Sequence, residues 1–272
     1  MTNLQKGIKY CAIAFGVFLI VSILSAILGA IGIIDMITTG GSTTGENFTK
    51  TYQDIRSINI DVAYSDILIT QGEEFKVDAT NISRRFSATV KNDTLRIKEK
   101  RNWFWMGSRS GKIVVTVPET TVLQDVSIDS GAGRIELDKI LASNLDVSQG
   151  AGLLTIRDGD FSSTSIDGGA GKIEVSSSIL NRLELDAGVG QVDMEAMITG
   201  NSEIDSGVGE IRLRLLGEKE DYRIHADKGV GSLRIDGKSY SDNTSFGSGS
   251  NFIDIDGGVG SITVDFISSV TE

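Results

Sequence analysis

Six aspartates recur two residues ahead of a small turn of sequence Gly-Ala-Gly or Gly-Val-Gly: Asp129, Asp167, Asp186, Asp205, Asp227 and Asp256, with Ser148 in the seventh place. If the repeats stack, carboxylates about 5 Å apart repel by up to ~1 kcal/mol even at water's dielectric constant. Something must offset that charge. One offset is local, because a carboxylate just ahead of a tight turn can accept hydrogen bonds from the N–H groups of that turn. The other is a cation: Asp167, Asp186, Asp205, Asp227 and Asp256 would form a calcium ladder, since that ion takes carboxylate and carbonyl oxygens. The calcium-binding β-roll repeat is nine residues long with Asp after its glycines, whereas here Asp precedes them at about twice that step. Turn capping is the preferred reading.

Catalytic chemistry finds few residues to work with. His225 is the only histidine, so a His-rich metal site is excluded and a Ser-His-Asp triad would have to be built around that one ring. A polysaccharide-cleaving β-helix is the strongest enzymatic rival, because two nearby carboxylates can act as acid and base. Against it, the repeats supply almost no aromatic side chains for stacking on sugars. The glycine turns lack the G-x-x-x-x-G-K-[ST] pattern and open no helix, so they are not phosphate loops. The chain reads as a non-enzyme with no cofactor. A net charge of −11 argues against nucleic acid as a partner and, without a bridging cation, against anionic polymers. The positions four ahead of each turn (Ser127, Asp146, Ser165, Glu184, Glu203, His225 and Asp254) form a second, largely acidic row, read as a solvated face.

The elements that position these rows follow from the turns themselves. Their first glycines are Gly131, Gly150, Gly169, Gly188, Gly207, Gly229 and Gly258, and their second are Gly133, Gly152, Gly171, Gly190, Gly209, Gly231 and Gly260. The first four steps between successive turns are equal, and the last two are longer. A fixed period of this size is the signature of a solenoid, in which each rung buries its apolar side only by stacking on neighbours. Apolar residues alternate with polar ones on both sides of each turn, as in Ile128, Ile135 and Leu137, or Ile204, Ile211 and Leu213. That alternation means two half-buried strands per rung. The residue between the glycines, Ala132 or Val189 for example, is expected to fill the narrow corner of the core. Parallel connections favour a right-handed sense, so the expected fold is all-β: a right-handed parallel β-helix with rungs of about 19 residues, each glycine corner above the one before it.

Other segments complete the organisation. Residues 10–37 contain a 25-residue stretch without a charge, Tyr10 to Ile34, long enough for one transmembrane helix. Lys6 and Lys9 precede it and Asp35 follows, which places residues 1–9 in the cytoplasm and the rest outside. Ser22, Ala26 and Ala30 are spaced by four and could let two such helices pair into a homodimer. A cleaved signal peptide fits less well, since the apolar run is longer than the core of such a peptide and no A-x-A site follows. Residues 38–47 read as a linker, 48–125 as irregular first rungs that cap the stack, and 126–272 as the regular solenoid, with a polar loop at 237–251. The single cysteine, Cys11, excludes an intrachain disulfide. Trp103, Phe104 and Trp105 sit in a basic segment of an acidic chain. They fit either a loop that touches the lipid interface or a partner, or a hairpin over the end of the solenoid.

The order of a membrane segment, a Ser57-Ile-Asn-Ile strand, a Thr94-Leu-Arg-Ile strand, a Val115-Thr-Val-Pro118 strand end and serial D-x-G-[AV]-G-x-[ILV]-x-[ILVM] units resembles the bacterial "putative adhesin" family of β-strand-repeat domains. The resemblance covers about residues 48–266. It implies an envelope-facing β-helix without established catalytic residues, and some members resemble proteins encoded beside cell-envelope stress systems of Gram-positive bacteria. The expected role is binding or scaffolding at the cell membrane, toward an envelope protein or polymer. A cytoplasmic polymer-forming β-helix and a carbohydrate-active enzyme are the alternatives.

Overall fold

The constant step between glycine turns is the stacking step of the molecule. The computed structural model describes residues 45–99 and 111–268. The expected transmembrane helix and the Trp103, Phe104 and Trp105 segment lie outside them, and among the described residues no helix is long and apolar enough to cross a membrane. The fold is all-β, with sixteen strands joined in one sheet. In chain order they are β1 (Glu46–Tyr52), β2 (Ser57–Gly72), β3 (Phe75–Ile82), β4 (Phe86–Lys91), β5 (Thr94–Glu99), β6 (Gly111–Pro118), β7 (Leu123–Asp138) and β8 (Leu141–Arg157). The rest are β9 (Asp160–Asn181), β10 (Leu183–Thr199), β11 (Asn201–Leu216), β12 (Tyr222–Asp227), β13 (Val230–Ile235), β14 (Lys238–Tyr240), β15 (Thr244–Gly247) and β16 (Asn251–Ile267).

Strands β7 to β11 are whole rungs, each bent at its glycine turn into a first arm before the turn and a second arm after it. They pair in parallel and in register, so that Ile128 meets Val147, Val147 meets Ile166, Ile166 meets Leu185 and Leu185 meets Ile204. Inward residues of both arms, such as Leu145, Val147, Leu154 and Ile156, are buried in a continuous core. Stacking of identical corners brings backbones very close. A Cβ on Gly190, whose φ is +154°, would sit 1.8 Å from the carbonyl oxygen of Gly171, and only glycine permits that approach. The residue between the two glycines does not fill the core: Ala151 is exposed and Val230 is 46% exposed. The bend shifts the inward parity, so the space under the corner goes to the residue before the first glycine, as with the buried Ser130, Gln149 and Ala187. Gln149 Nε2 donates to the Gly133 carbonyl at 2.9 Å and so ties two corners together from inside.

A second bend lies on the far side of the early rungs and uses no glycine there, whereas β10 and β11 end at Gly200 and Gly217, with φ of +76° and +123°. Lys139, Asp158 and Ser177, which recur at the same step as the glycine turns, have φ of +58°, +50° and +50°. Ser177 is also where β9 carries one residue more than β10, since pairing steps from Val175 with Met194 to Ser178 with Ala196.

The ends of the stack depart from chain order. At the first end, β2 is a full rung paired with β7, and Ala63-Tyr64-Ser65 stand where later rungs have glycine corners. Strands β5 and β6 are the two arms of a split rung on β2. Against them β4 and β3 pair antiparallel, with β1 antiparallel to β3 outside. At the other end it is Gly258, not Gly229, that sits on Gly207, because β16 pairs with β11 along its length. The expectation that each corner lies above its predecessor in sequence therefore fails at the last two. Strands β12 and β13, with the Gly229 turn between them, stack on the far side of β16. Antiparallel β15 and β14 then finish the two arms. Phe246, Phe266, Tyr222 and Tyr240 form a chain of ring contacts there, at 5.7, 5.8 and 6.4 Å between centroids. Parallel rungs thus give way to antiparallel strands at both ends, which removes the flat, repeat-matched edge that a bare solenoid offers to other chains.

Candidate binding face

The stack converts the aspartates of the sequence into a physical column. On the outward side of the first arms, pairing runs Asp61, Asp129, Ser148, Asp167, Asp186, Asp205, Asp256, Asp227. Two residues away, on the same face, the second column runs Asn59, Ser127, Asp146, Ser165, Glu184, Glu203, Asp254, His225. Neighbours in a parallel sheet lie about 4.8 Å apart, so the three rungs β10, β11 and β16 carry two carboxylates each on this face, and β12 carries Asp227 beside His225.

How this charge is held differs along the column. At Asp227 the expected capping bond is present, because the Gly229 N–H donates to Asp227 Oδ1 at 3.0 Å. The Lys228 N–H donates to Asp242 Oδ1, also at 3.0 Å. No such bond reaches Asp129, Asp167, Asp186, Asp205 or Asp256 among the described residues. The Gly229 corner interrupts the strand, with φ of +56° at Gly229 between β12 and β13, whereas the corners after these five aspartates lie inside continuous strands. Nor, among the described residues, is there a group of three or more His, Cys, Asp or Glu that could hold a metal ion. The column is a row of separate carboxylates, and its electrostatics show it. Burial first, and then Glu203, Asp186, Asp256 and Asp254, push the Asp205 carboxyl above its ordinary value. Burial, and then Asp227, Asp254 and Asp242, do the same at Asp256.

The outward side of the second arms is built differently. Arg157 reaches Glu136 at 3.2 Å and Asp138 at 3.8 Å across adjacent rungs. Arg214 reaches Glu195 at 3.1 Å and Asp193 at 3.3 Å, while Arg212 pairs with Glu210 at 2.8 Å and Lys172 with Glu174. On the first-arm face from β7 to β16, no ion pair is found among the described residues. The molecule therefore has one self-neutralised flank and one flank of bare negative charge. The periodicity of the acidic positions is legible in the sequence, but the contrast between flanks depends on which basic residues fall after the turn rather than before it.

The only histidine comes closer to a catalytic arrangement than its isolation suggests. Ser245, His225 and Asp254 are neighbours on three adjacent strands, and His225 Nδ1 lies 3.3 Å from Ser245 Oγ. The ring makes no hydrogen bond with Asp254 among the described residues, so it is not held in the fixed tautomer that a Ser-His-Asp relay requires. The cavities at the glycine corners measure about 20 and 10 Å³, the space of a single water.

A family model covers residues 55–258, from the strand pair that opens the stack to the Gly258 corner. The chain belongs to the Toastrack DUF4097 family. No protein with curated annotation matches it. Among solved structures, a Bacteroides fragilis protein described as a "putative adhesin" aligns over 80% of this chain and 97% of its own, with 19% identity and a TM-score of 0.53. A Clostridium sporogenes protein described as a "putative cell adhesion protein" aligns over 82% and 99% with 17% identity and a TM-score of 0.42. A Parabacteroides distasonis "putative lipid binding protein" aligns over 82% and 98% with 18% identity and a TM-score of 0.47. The Bacteroides fragilis match supports the shared β-solenoid fold of the Toastrack chain.

Proposed function

We infer that this Toastrack protein is a non-enzymatic binding or scaffold module displayed outside the cell, an adhesin-like right-handed β-helix held at the membrane by one transmembrane helix over residues 10–37. The observation that carries the reading is the bare acidic flank. Self-repulsion costs stability, and the opposite flank of the same rungs shows that in-plane ion pairs were available to relieve it. A negatively charged plane seven rungs long, from β7 through β16 to β12, suits a partner with complementary charge, an envelope protein or a polymer presented with cations. Trp103, Phe104 and Trp105 would add an aromatic contact to lipid or partner, and a link to envelope stress is part of the same reading.

The test begins with topology. In a Cys11→Ser background, Ser148→Cys places a thiol on the exposed first-arm face. A membrane-impermeant maleimide is expected to label it on intact cells. Labelling that appears only after lysis would place the domain inside and remove the display role. Given outside topology, the charge-reversed Asp186→Lys, Glu203→Lys pair should weaken retention of the chain by its own envelope fraction, while Glu136→Lys on the other flank should not.

A further inference from the structure

The position of β16 carries a consequence of its own. Chain order makes β12 and β13 before β16, yet β16 ends up between β11 and those two strands. A slot for β16 therefore lies between them, filled either after β12 and β13 have formed or before they dock on β16. That slot is complete on both sides. On one, β11 offers Ile204, Ile211 and Leu213 to Ile255, Ile262 and Val264. On the other, β12 and β13 offer Ala226, Leu233 and Ile235 to the same three residues. Ile253, Ile255, Ile262 and Val264 are 0 to 2% exposed, so a chain without a strand in this slot uncovers its core.

What ties β16 to its own slot is short. Strand β15 lies on the outer side of β12 and β16 on the inner side, so residues 248–250 must cross over β12 at its start. The crossing is tight: the Gly249 N–H donates to the Tyr222 carbonyl at 3.1 Å, and a Cβ on Gly249 would lie 2.0 Å from the Asp221 carbonyl carbon. Short hinges under this kind of constraint favour exchange of an element between copies.

We propose that the slot between β11 and the β12–β13 pair is a strand-acceptor site that takes β16 from a second copy of this chain as well as from its own. Two chains that exchange β16 fill both slots and close with two-fold symmetry. The exchange makes no new interface on the rung faces; it releases the crossing at Gly249 in each copy and reproduces every strand contact of the monomer.

Register makes the test specific, because Asp205 and Asp256 are directly paired and both lie on the outward face. Two full-length chains, Cys11→Ser with Asp205→Cys and Cys11→Ser with Asp256→Cys, are unfolded, mixed and refolded together in detergent, then treated with a short bismaleimide. A covalent heterodimer is expected, and a single chain carrying both cysteines should close on itself as the control. If the control closes and the mixture yields no heterodimer, the proposal is overturned. Association through the membrane segment would not bring position 205 of one copy against 256 of another, so it cannot mimic the result. Gly249→Val blocks the crossing and should raise the heterodimer yield severalfold. An unchanged yield in a folded Gly249→Val chain would also overturn it, and the cysteine mixture decides the matter if that variant does not fold.

Discussion

At Gly190 two constraints meet that no other residue satisfies together. Its φ of +154° lies where side chains are strained, and a Cβ would come within 1.8 Å of the Gly171 carbonyl oxygen and 2.8 Å of its carbon. The clash is with backbone on the neighbouring rung, which cannot move without breaking ladder hydrogen bonds. Gly190→Ala is therefore expected to cost about 3 kcal/mol or more, at the upper end for a single substitution. Ala187→Gly, only three residues away and facing inward, should cost nearer ~1 kcal/mol. Urea melts of the two variants make the comparison, and equal losses would sink the account of the corner. The corner was readable in the sequence because close approach leaves one residue type and so a visible period. The second bend was not, because Lys139, Asp158 and Ser177 reach positive φ in open space at modest cost, and residues of three chemical kinds leave no common letter to find. The segment Ala63-Tyr64-Ser65 carries no glycine signal for a related reason: at the first full rung the neighbouring arms belong to a split rung, so there is no stacked corner on its outer side.

At the scale of the strand, the first arms of β10, β11, β16 and β12 act together through their carboxylates. A carboxyl whose value is raised in the fold holds its proton more tightly there than in the unfolded chain. Its contribution to stability is complete below the unfolded value, ~3.9, and is lost as pH rises through the folded one. Asp205 and Asp256 are of this kind. Asp78 in β3 is the reverse, lowered by hydrogen bonds from Lys76 and Thr49, and its contribution disappears as pH falls through the folded value. Asp205→Asn removes one raised carboxyl and should increase Tm at pH 7, with the gain vanishing at pH 3, where wild type carries the proton already. A gain of equal size at both pH values would mean that packing, not charge, is responsible. The acidic rows were readable as rows because alternation places every second residue outside. Their spatial order was not, since it depends on β16 entering between β11 and β12, and both β12–β13 and β16 carry the same Asp-x-Gly-Val-Gly pattern. Sequence similarity between those two candidate rungs is what conceals which of them lies next to Gly207.

Across the whole molecule, a stack in which each rung touches only its neighbours has no single nucleus that all parts share, and its stability is a sum of rung and interface terms. The middle rungs have parallel partners on both sides, whereas β15 and β14 each have one antiparallel partner and only three or four residues. What holds them is the ring chain. Phe246 stacks on Phe266 at 5.7 Å with 23° between planes, Phe266 packs on Tyr222 at 5.8 Å, and Tyr222 fixes its hydroxyl on the Leu216 carbonyl at 2.7 Å. Phe246→Ala removes the ring that joins Tyr240 to the inner pair, Phe266 and Tyr222, and leaves that pair in place. Hydrogen exchange read strand by strand is expected to show β14 and β15 opening at least tenfold faster in that variant, β12 less so, and β8 to β10 unchanged, because the loss lies several interfaces away from them. The same experiment separates a solenoid that frays from its end from one that opens as a unit: uniform acceleration across β8 to β15 would show that the rungs are coupled over the whole stack, and the additive description of this fold would then be wrong.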